Sequence, residues 1–235
     1  MISVLKSKTE IRSARDEMHR SGISCLTPQM QRWLNAIGIF GGVVVGDDSK
    51  SWDVLKTATF LRDRLPLDTP ILDVGAYASE ILAVLHRMNF SNLAGVDLNP
   101  RIKTMPFEDH IRYEVGDFLA TPFPDGSFGA ITAISVIEHG FMSDRLLREL
   151  SRLLRPGGYF IASFDYWPEK VDTTGIGIFG MDWRIFSKAD VLAFIEEAGA
   201  YELSPCGEID LEGGEKVIHW GGKDYTFAWL AIRKK

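Results

Sequence analysis

The chain has 235 residues with 26 Lys and Arg against 32 Asp and Glu, giving a net charge of -6, so its surface repels phosphate backbones and no basic patch offers a nucleic-acid site. Hydrophobic residues make up 46% and charged residues 25%, which is ordinary globular composition, and no apolar run reaches the length that crosses a bilayer. The only two cysteines, Cys25 and Cys206, exclude a disulfide framework and match no metal or redox spacing. The expectation is a cytoplasmic protein, monomer or homodimer, with no membrane, nucleic-acid or metal partner.

In chain order, residues 1–65 read as helical, interrupted at Gly41-Gly42. Lys6, Lys8, Arg12, Arg15 and Arg20 faintly resemble a transit peptide, but Glu10, Asp16 and Glu17 among them favour an ordinary exposed helix. This helical cap gives way at Pro70 to a core, 66–235. ILDVG (71–75) reads as a buried strand and 79–88 as a helix, followed by strands at 92–97, 111–115 and 128–135. A helix over 143–154, a strand at 158–164, a helix over 187–199 opened by Ser187 and Asp190, and two closing strands at 201–206 and 225–233 complete the pattern. Such alternation predicts an α/β fold: a mostly parallel seven-stranded sheet, helices on both faces, and a substrate-loop insertion near 165–186. Within that insertion GIGIFGMDW is too irregular for either a helix or a strand.

Ligands of open parallel sheets gather beyond the carboxyl ends of the strands, and here those ends are acidic. The first closes on Asp73-Val74-Gly75-Ala76-Tyr77-Ala78-Ser79, the second on Asp97-Leu98-Asn99-Pro100, the third on Gly116-Asp117-Phe118. An acid about 24 residues after the first repeats the geometry in which a second-strand carboxylate accepts hydrogen bonds from ribose hydroxyls. His139, after Glu138 just past the fourth strand, stands where a substrate would approach and is the candidate base. Asp165, Tyr166 and Trp167 after the fifth strand, with Trp183 beyond, are candidates for a substrate pocket; a satellite core under the loop is the equal alternative. Trp52 opens a cap helix and is expected to pack inward.

ILDVG, GVDLNP, GDF, FPDGSFGAITAISVIEH and LLRPGGYFIAS, in that order, resemble the class I S-adenosylmethionine-dependent methyltransferases, in particular the type 11 branch. The resemblance covers about 70–165 and implies a Rossmann-like fold with S-adenosylmethionine as cofactor. It implies that Gly75 with Ala76 and Tyr77 turns against the methionine part, that Asp97 with Leu98 takes the ribose, and that Asp117 and Phe118 take the adenine. Ser135 completes the implied cofactor set, and S-adenosylhomocysteine is the implied product. The family often reads Asp-x-Gly-x-Gly-x-Gly, whereas Tyr77 and Ser79 stand here for the second and third glycines, leaving the loop path to be found. The same departure disfavours NAD, since Glu80 would oppose a pyrophosphate at a helix N-terminus. No Asp/Asn-Pro-Pro-aromatic run follows the fourth strand, so the resemblance points to a small-molecule oxygen or nitrogen acceptor: a sugar, a polysaccharide precursor or a natural-product intermediate. Non-methylating chemistry on the same cofactor and a binding subunit without turnover are the rival readings.

Overall fold

The computed structural model describes residues 1–39, 41–178 and 180–235. The chain opens with a strand, β1 (Ile2–Val4), which corrects the wholly helical reading of 1–65. Three residues carry too short a pattern to show their period, and their partner lies near the other end of the chain. β2 (Ile71–Val74), β3 (Leu93–Asp97), β4 (Ile111–Val115), β5 (Phe128–Ile134) and β6 (Leu154–Tyr166) pair in parallel in the spatial order β4-β3-β2-β5-β6. β2, β3 and β5 are buried on both faces and read as continuous apolar runs, whereas β4 at the sheet edge alternates buried and exposed residues. A hairpin, β7 (Gly177–Ile178) with β8 (Met181–Asp182), occupies the segment expected to be irregular; Phe179 within it lies outside the described residues. β9 (Leu203–Pro205), β10 (Ile218–Trp220) and β11 (Lys223–Lys234) follow. β11 runs antiparallel to β6, while β1, β9 and β10 each pair with β11. All seven expected strands are present, and β1 and β10 are added to them.

The cap contributes α1 (Lys8–Arg20), α2 (Gln29–Ala36), a 3-10 turn over Asp48–Lys50 and α3 (Ser51–Arg62). The core adds α4 (Ile81–Arg87), α5 (Ser143–Leu153) and α6 (Lys188–Gly199), the last opened by the capping box of Ser187 and Asp190. One face of the sheet is covered by Leu146, Leu150, Val191 and Phe194 of α5 and α6. The other is covered by Met18, Val54, Ala58, Ile81 and Leu85 of α1, α3 and α4, so the cap shares a hydrophobic core with the sheet. Trp52 packs half-buried between this core and a smaller one around Leu5, Trp183 and Tyr225.

What fastens the cap is polar. Arg15 of α1 is buried, against the expectation of an exposed helix, and donates to both carboxylate oxygens of Glu80 at 2.9 Å each. It also donates to Ser51 Oγ at the start of α3 and to Ser24 Oγ, while the Cys25 amide donates to Glu80 at 2.7 Å. Removing one member of a buried ion pair strands the other in low dielectric. Arg15→Met is therefore expected to lower stability by about 3 to 5 kcal/mol. Urea unfolding of parent and variant checks this; a loss no larger than that of an exposed arginine would contradict it.

Candidate functional site

A cavity of about 630 Å³ opens beyond the carboxyl ends of β2, β3 and β5, at the point where the strand order reverses. Its floor is Gly75, Tyr77, Ala78, Asp97, Leu98 and Phe118, and its far end is Ser135, Val136, His139 and Met181. The cap closes one wall with Gly46, Asp47, Lys50 and Val54. Gly75 is required at its place: φ is +69°, and a Cβ there would meet Val136 Cγ2 at 2.4 Å. Tyr77 avoids positive φ; the next residue, Ala78, takes the left-handed bend at φ 63°. Ser135 does the same at φ 54°. Non-glycine residues held in that region cost of order 1 to 3 kcal/mol each, and two of them line this cavity.

Asp97 Oδ2 accepts the Tyr77 amide at 3.0 Å and Oδ1 accepts the Asn99 amide at 2.8 Å. Each oxygen keeps capacity for a further donor from the cavity. Asp73 lies fully buried under the loop, with Oδ1 accepting from Thr132 Oγ1 at 2.6 Å and Oδ2 without a protein partner. Burial pushes its pKa up to about 7. Asp117 is turned to its own loop and to Arg145, accepting from the Leu119 amide at 2.9 Å and from Arg145 Nη2 at 3.3 Å.

The far end is built around Lys50, which hydrogen-bonds Ser135 Oγ. Its Nζ stands 4.0 Å from Asp165 Oδ1 and 3.3 Å from the centroid of the Phe227 ring. Asp165 Oδ2 accepts from the indole Nε1 of Trp183 at 2.8 Å. Burial, with the neighbouring Asp165, pushes Glu138 up to about 8, and burial raises Asp165 as well. Burial and then the charge of Lys50 hold His139 down at about 4, so its imidazole is neutral at pH 7.

Of the residues singled out in the sequence, the structure brings Gly75, Tyr77, Asp97, Leu98, Phe118, Ser135 and His139 to the cavity wall. Asp73 and Ala76 lie beneath it, and Asp165 stands behind Lys50. Tyr166, Trp167 and Trp183 are not among the lining residues. Tyr166 is wholly buried with its hydroxyl on Leu211 O, Trp167 is half-buried, and Trp183 sits in the small core with Leu5, Ile185 and Tyr225. Glu80, whose carboxylate was expected to oppose a pyrophosphate, is bonded by Arg15. Sequence reasoning missed Lys50 and Met181. The polar run Asp47-Asp48-Ser49-Lys50 before α3 was the only local signal for the first.

Residues 72–162 match a family described as a methyltransferase domain. The chain is 30% identical over 96 residues to methyltransferase GfsG of Streptomyces halstedii, covering 37% of this chain and 34% of that protein. It spans about a third of the length of that and comparable curated relatives. Geranyl diphosphate C-methyltransferase from Streptomyces coelicolor A3(2), solved with Mg2+, geranyl diphosphate and S-adenosyl-L-homocysteine, shares the fold with a TM-score of 0.58 and 20% identity, covering 77% of this chain and 78% of that one. The [4+2]-cyclase SpnF shares it with a TM-score of 0.59 and 17% identity, covering 90% of this chain and 98% of that one.

The buried acids set a pH dependence. Burial raises Asp53 of α3 to about 6, so the folded state holds this proton more tightly than the unfolded chain. Its contribution to stability is intact below an unfolded pKa of about 3.9 and is lost as pH rises toward 6. Asp73 and Glu138 carry the loss on toward 7 and 8, whereas the lowered pKa of His139 acts oppositely, adding stability as pH rises above 4. Asp53→Asn should remove the first part of the slope, leaving the variant more stable than the parent at pH 7 by up to about 3 kcal/mol and little changed near pH 4. Urea unfolding at both pH values measures the difference, and equal slopes would contradict the assignment.

Proposed function

We propose, from the match of residues 72–162 to a methyltransferase-domain family, that this chain is a class I S-adenosylmethionine-dependent methyltransferase acting on a small-molecule or lipid acceptor at oxygen or nitrogen. A sugar, a polysaccharide precursor or a natural-product intermediate fits the reading. The observation that carries it is the cavity itself, which sets the Asp97 carboxylate and the Phe118 ring at one end and Ser135, Lys50 and His139 at the other.

The residues present suit the cofactor. Asp97 has acceptor capacity for two ribose hydroxyls, Phe118 offers an apolar face for adenine, and Gly75 gives the backbone its close turn. Asp73, with one buried oxygen lacking a protein partner, supports the loop next to the methionine end. Asp47 on the cap wall suits a cationic ligand and opposes a pyrophosphate. When bound, S-adenosylmethionine supplies an electrophilic methyl group. The chain's own contribution is to hold the acceptor in line and to exclude water, with the cap forming one wall. His139, neutral at pH 7, contacts the acceptor as a hydrogen-bond acceptor or as a base of limited strength.

A second reading, non-methylating chemistry in the same cavity, is favoured by the shared fold of the [4+2]-cyclase SpnF. Incubation with methyl-labelled cofactor and an acceptor panel separates the two. Methyl transfer yields labelled acceptor and S-adenosylhomocysteine in equal amounts, and substrate turnover without S-adenosylhomocysteine would overturn the first reading.

Two variants test the roles. Asp97→Asn keeps an oxygen for the loop amides but loses the charge, and should weaken S-adenosylhomocysteine binding by about 10- to 100-fold, the equivalent of one or two charged hydrogen bonds. Calorimetric titration with parental affinity would remove Asp97 from the site. His139→Gln should leave that affinity near parental while lowering kcat about tenfold, the worth of one positioned hydrogen bond to the acceptor. An unchanged kcat would remove His139 from the chemistry.

A further inference from the structure

Resting on the methyl-transfer reading, we propose that the acceptor is an oxyanion, a carboxylate or an acidic phenol or enol, and that Lys50 and Ser135 hold its oxygen. Lys50 is the only lysine or arginine among the described residues lining the cavity. The other charged residues there are Asp47, Glu80 and Asp97, and Arg15 already pairs with Glu80. Lys50 is delivered from the cap by the 3-10 turn, whose Asp47 side chain accepts from the Ser49 amide at 2.9 Å. Its nearest carboxylate oxygen, on Asp165, is 4.0 Å away, beyond hydrogen-bond contact, and 19% of its side chain stays exposed. The ammonium is therefore held in place by the longer-range charges of Asp165, Asp53 and Glu138, with no carboxylate in hydrogen-bond contact among the described residues. Ser135, on the strained turn after β5, places a hydroxyl on it at the cavity wall.

Charge decides among acceptors. A protonated amine would meet the Lys50 ammonium in a partly desolvated space, where like charges repel most strongly. An alcohol would need a base, and the neighbouring His139 is held at about 4. Moving a proton there even from a phenol with a pKa near 10 is uphill by about six orders of magnitude, and from an aliphatic alcohol by more. An acceptor that arrives ionised needs no base and pairs with Lys50. The oxygen's electron pair forms the new C–O bond as the methyl–sulfur bond breaks with its pair on sulfur. The anionic and sulfonium charges cancel and no proton is displaced. The neutral product no longer pairs with Lys50, which favours its release.

The test is calorimetric titration of the protein saturated with S-adenosylhomocysteine, using benzoate against benzamide and 4-nitrophenolate against nitrobenzene. At least one oxyanion should bind about tenfold or more tightly than its neutral partner, as expected for one charge-assisted hydrogen bond. The pair that shows the preference tells carboxylate from phenolate. Lys50→Met should abolish the preference and Lys50→Arg should keep it. Equal affinities within both pairs, no binding of either oxyanion at millimolar concentration, or a preference that survives in Lys50→Met would each overturn the inference. Should Lys50→Met not fold, the parent's preference and its retention in Lys50→Arg decide. Failure of the parent to bind S-adenosylhomocysteine, measured first, would instead count against the methyl-transfer reading and remove the ground for this one.

Discussion

The cap wall of the candidate site depends on a buried ion pair that lies outside the acidic strand ends. Glu80 stands at the entrance to α4, immediately after the loop that turns under the cavity, and Arg15 reaches it from α1. With Ser51 and Ser24 on the same guanidinium and the Cys25 amide on the same carboxylate, the pair ties three cap segments to that loop. Gly46, donating its amide to Ala78 O at 2.8 Å, adds a backbone contact between the same two parts. A buried pair of this kind adds little net stability over apolar packing, but separating its members leaves a charge unpaired in low dielectric, which holds the cap against the loop. That attachment is what places Asp47 and Lys50 opposite Asp97 and Ser135.

The loop itself shows how two missing glycines are accommodated. Gly75 remains where Val136 leaves no room for a side chain. The second bend moves to Ala78, whose Cβ carries the strain of positive φ, and Tyr77 then keeps an ordinary backbone and gives its amide to Asp97. On the other side of the cavity Ser135 carries the same kind of strain, bonded to Lys50. Packing from the cap and from β5 holds both bends, so the strain is located at the two ends of the space a ligand would fill.

Much of this was legible in the sequence, for physical reasons. The central strands are buried on both faces and read as unbroken apolar runs, and their acidic ends mark the ligand side of a parallel sheet. Asp97 followed from that alone, whereas Gly75 and Phe118 were marked by the resemblance of their motifs to a known family. β1 was not legible, because three residues show no period and their pairing with Leu230, Trp229 and Ala228 is set more than 200 positions away. Lys50 and Arg15 were hidden for the same reason: nothing local tells a lysine before a helix, or an arginine among surface charges, that tertiary contacts will bury it. Trp183 was ambiguous in sequence, and its indole bond to Asp165 places it in a core behind the site.

The methyltransferase-domain match of residues 72–162, the Asp97 carboxylate on the floor and the cap wall together make one claim: this cavity takes a phosphate-free adenosyl cofactor. Calorimetric titration of the unmodified protein with S-adenosylhomocysteine and, separately, with NAD tests it most directly. The account predicts saturable binding of one S-adenosylhomocysteine per chain and no binding of NAD; NAD binding with no response to S-adenosylhomocysteine would contradict it.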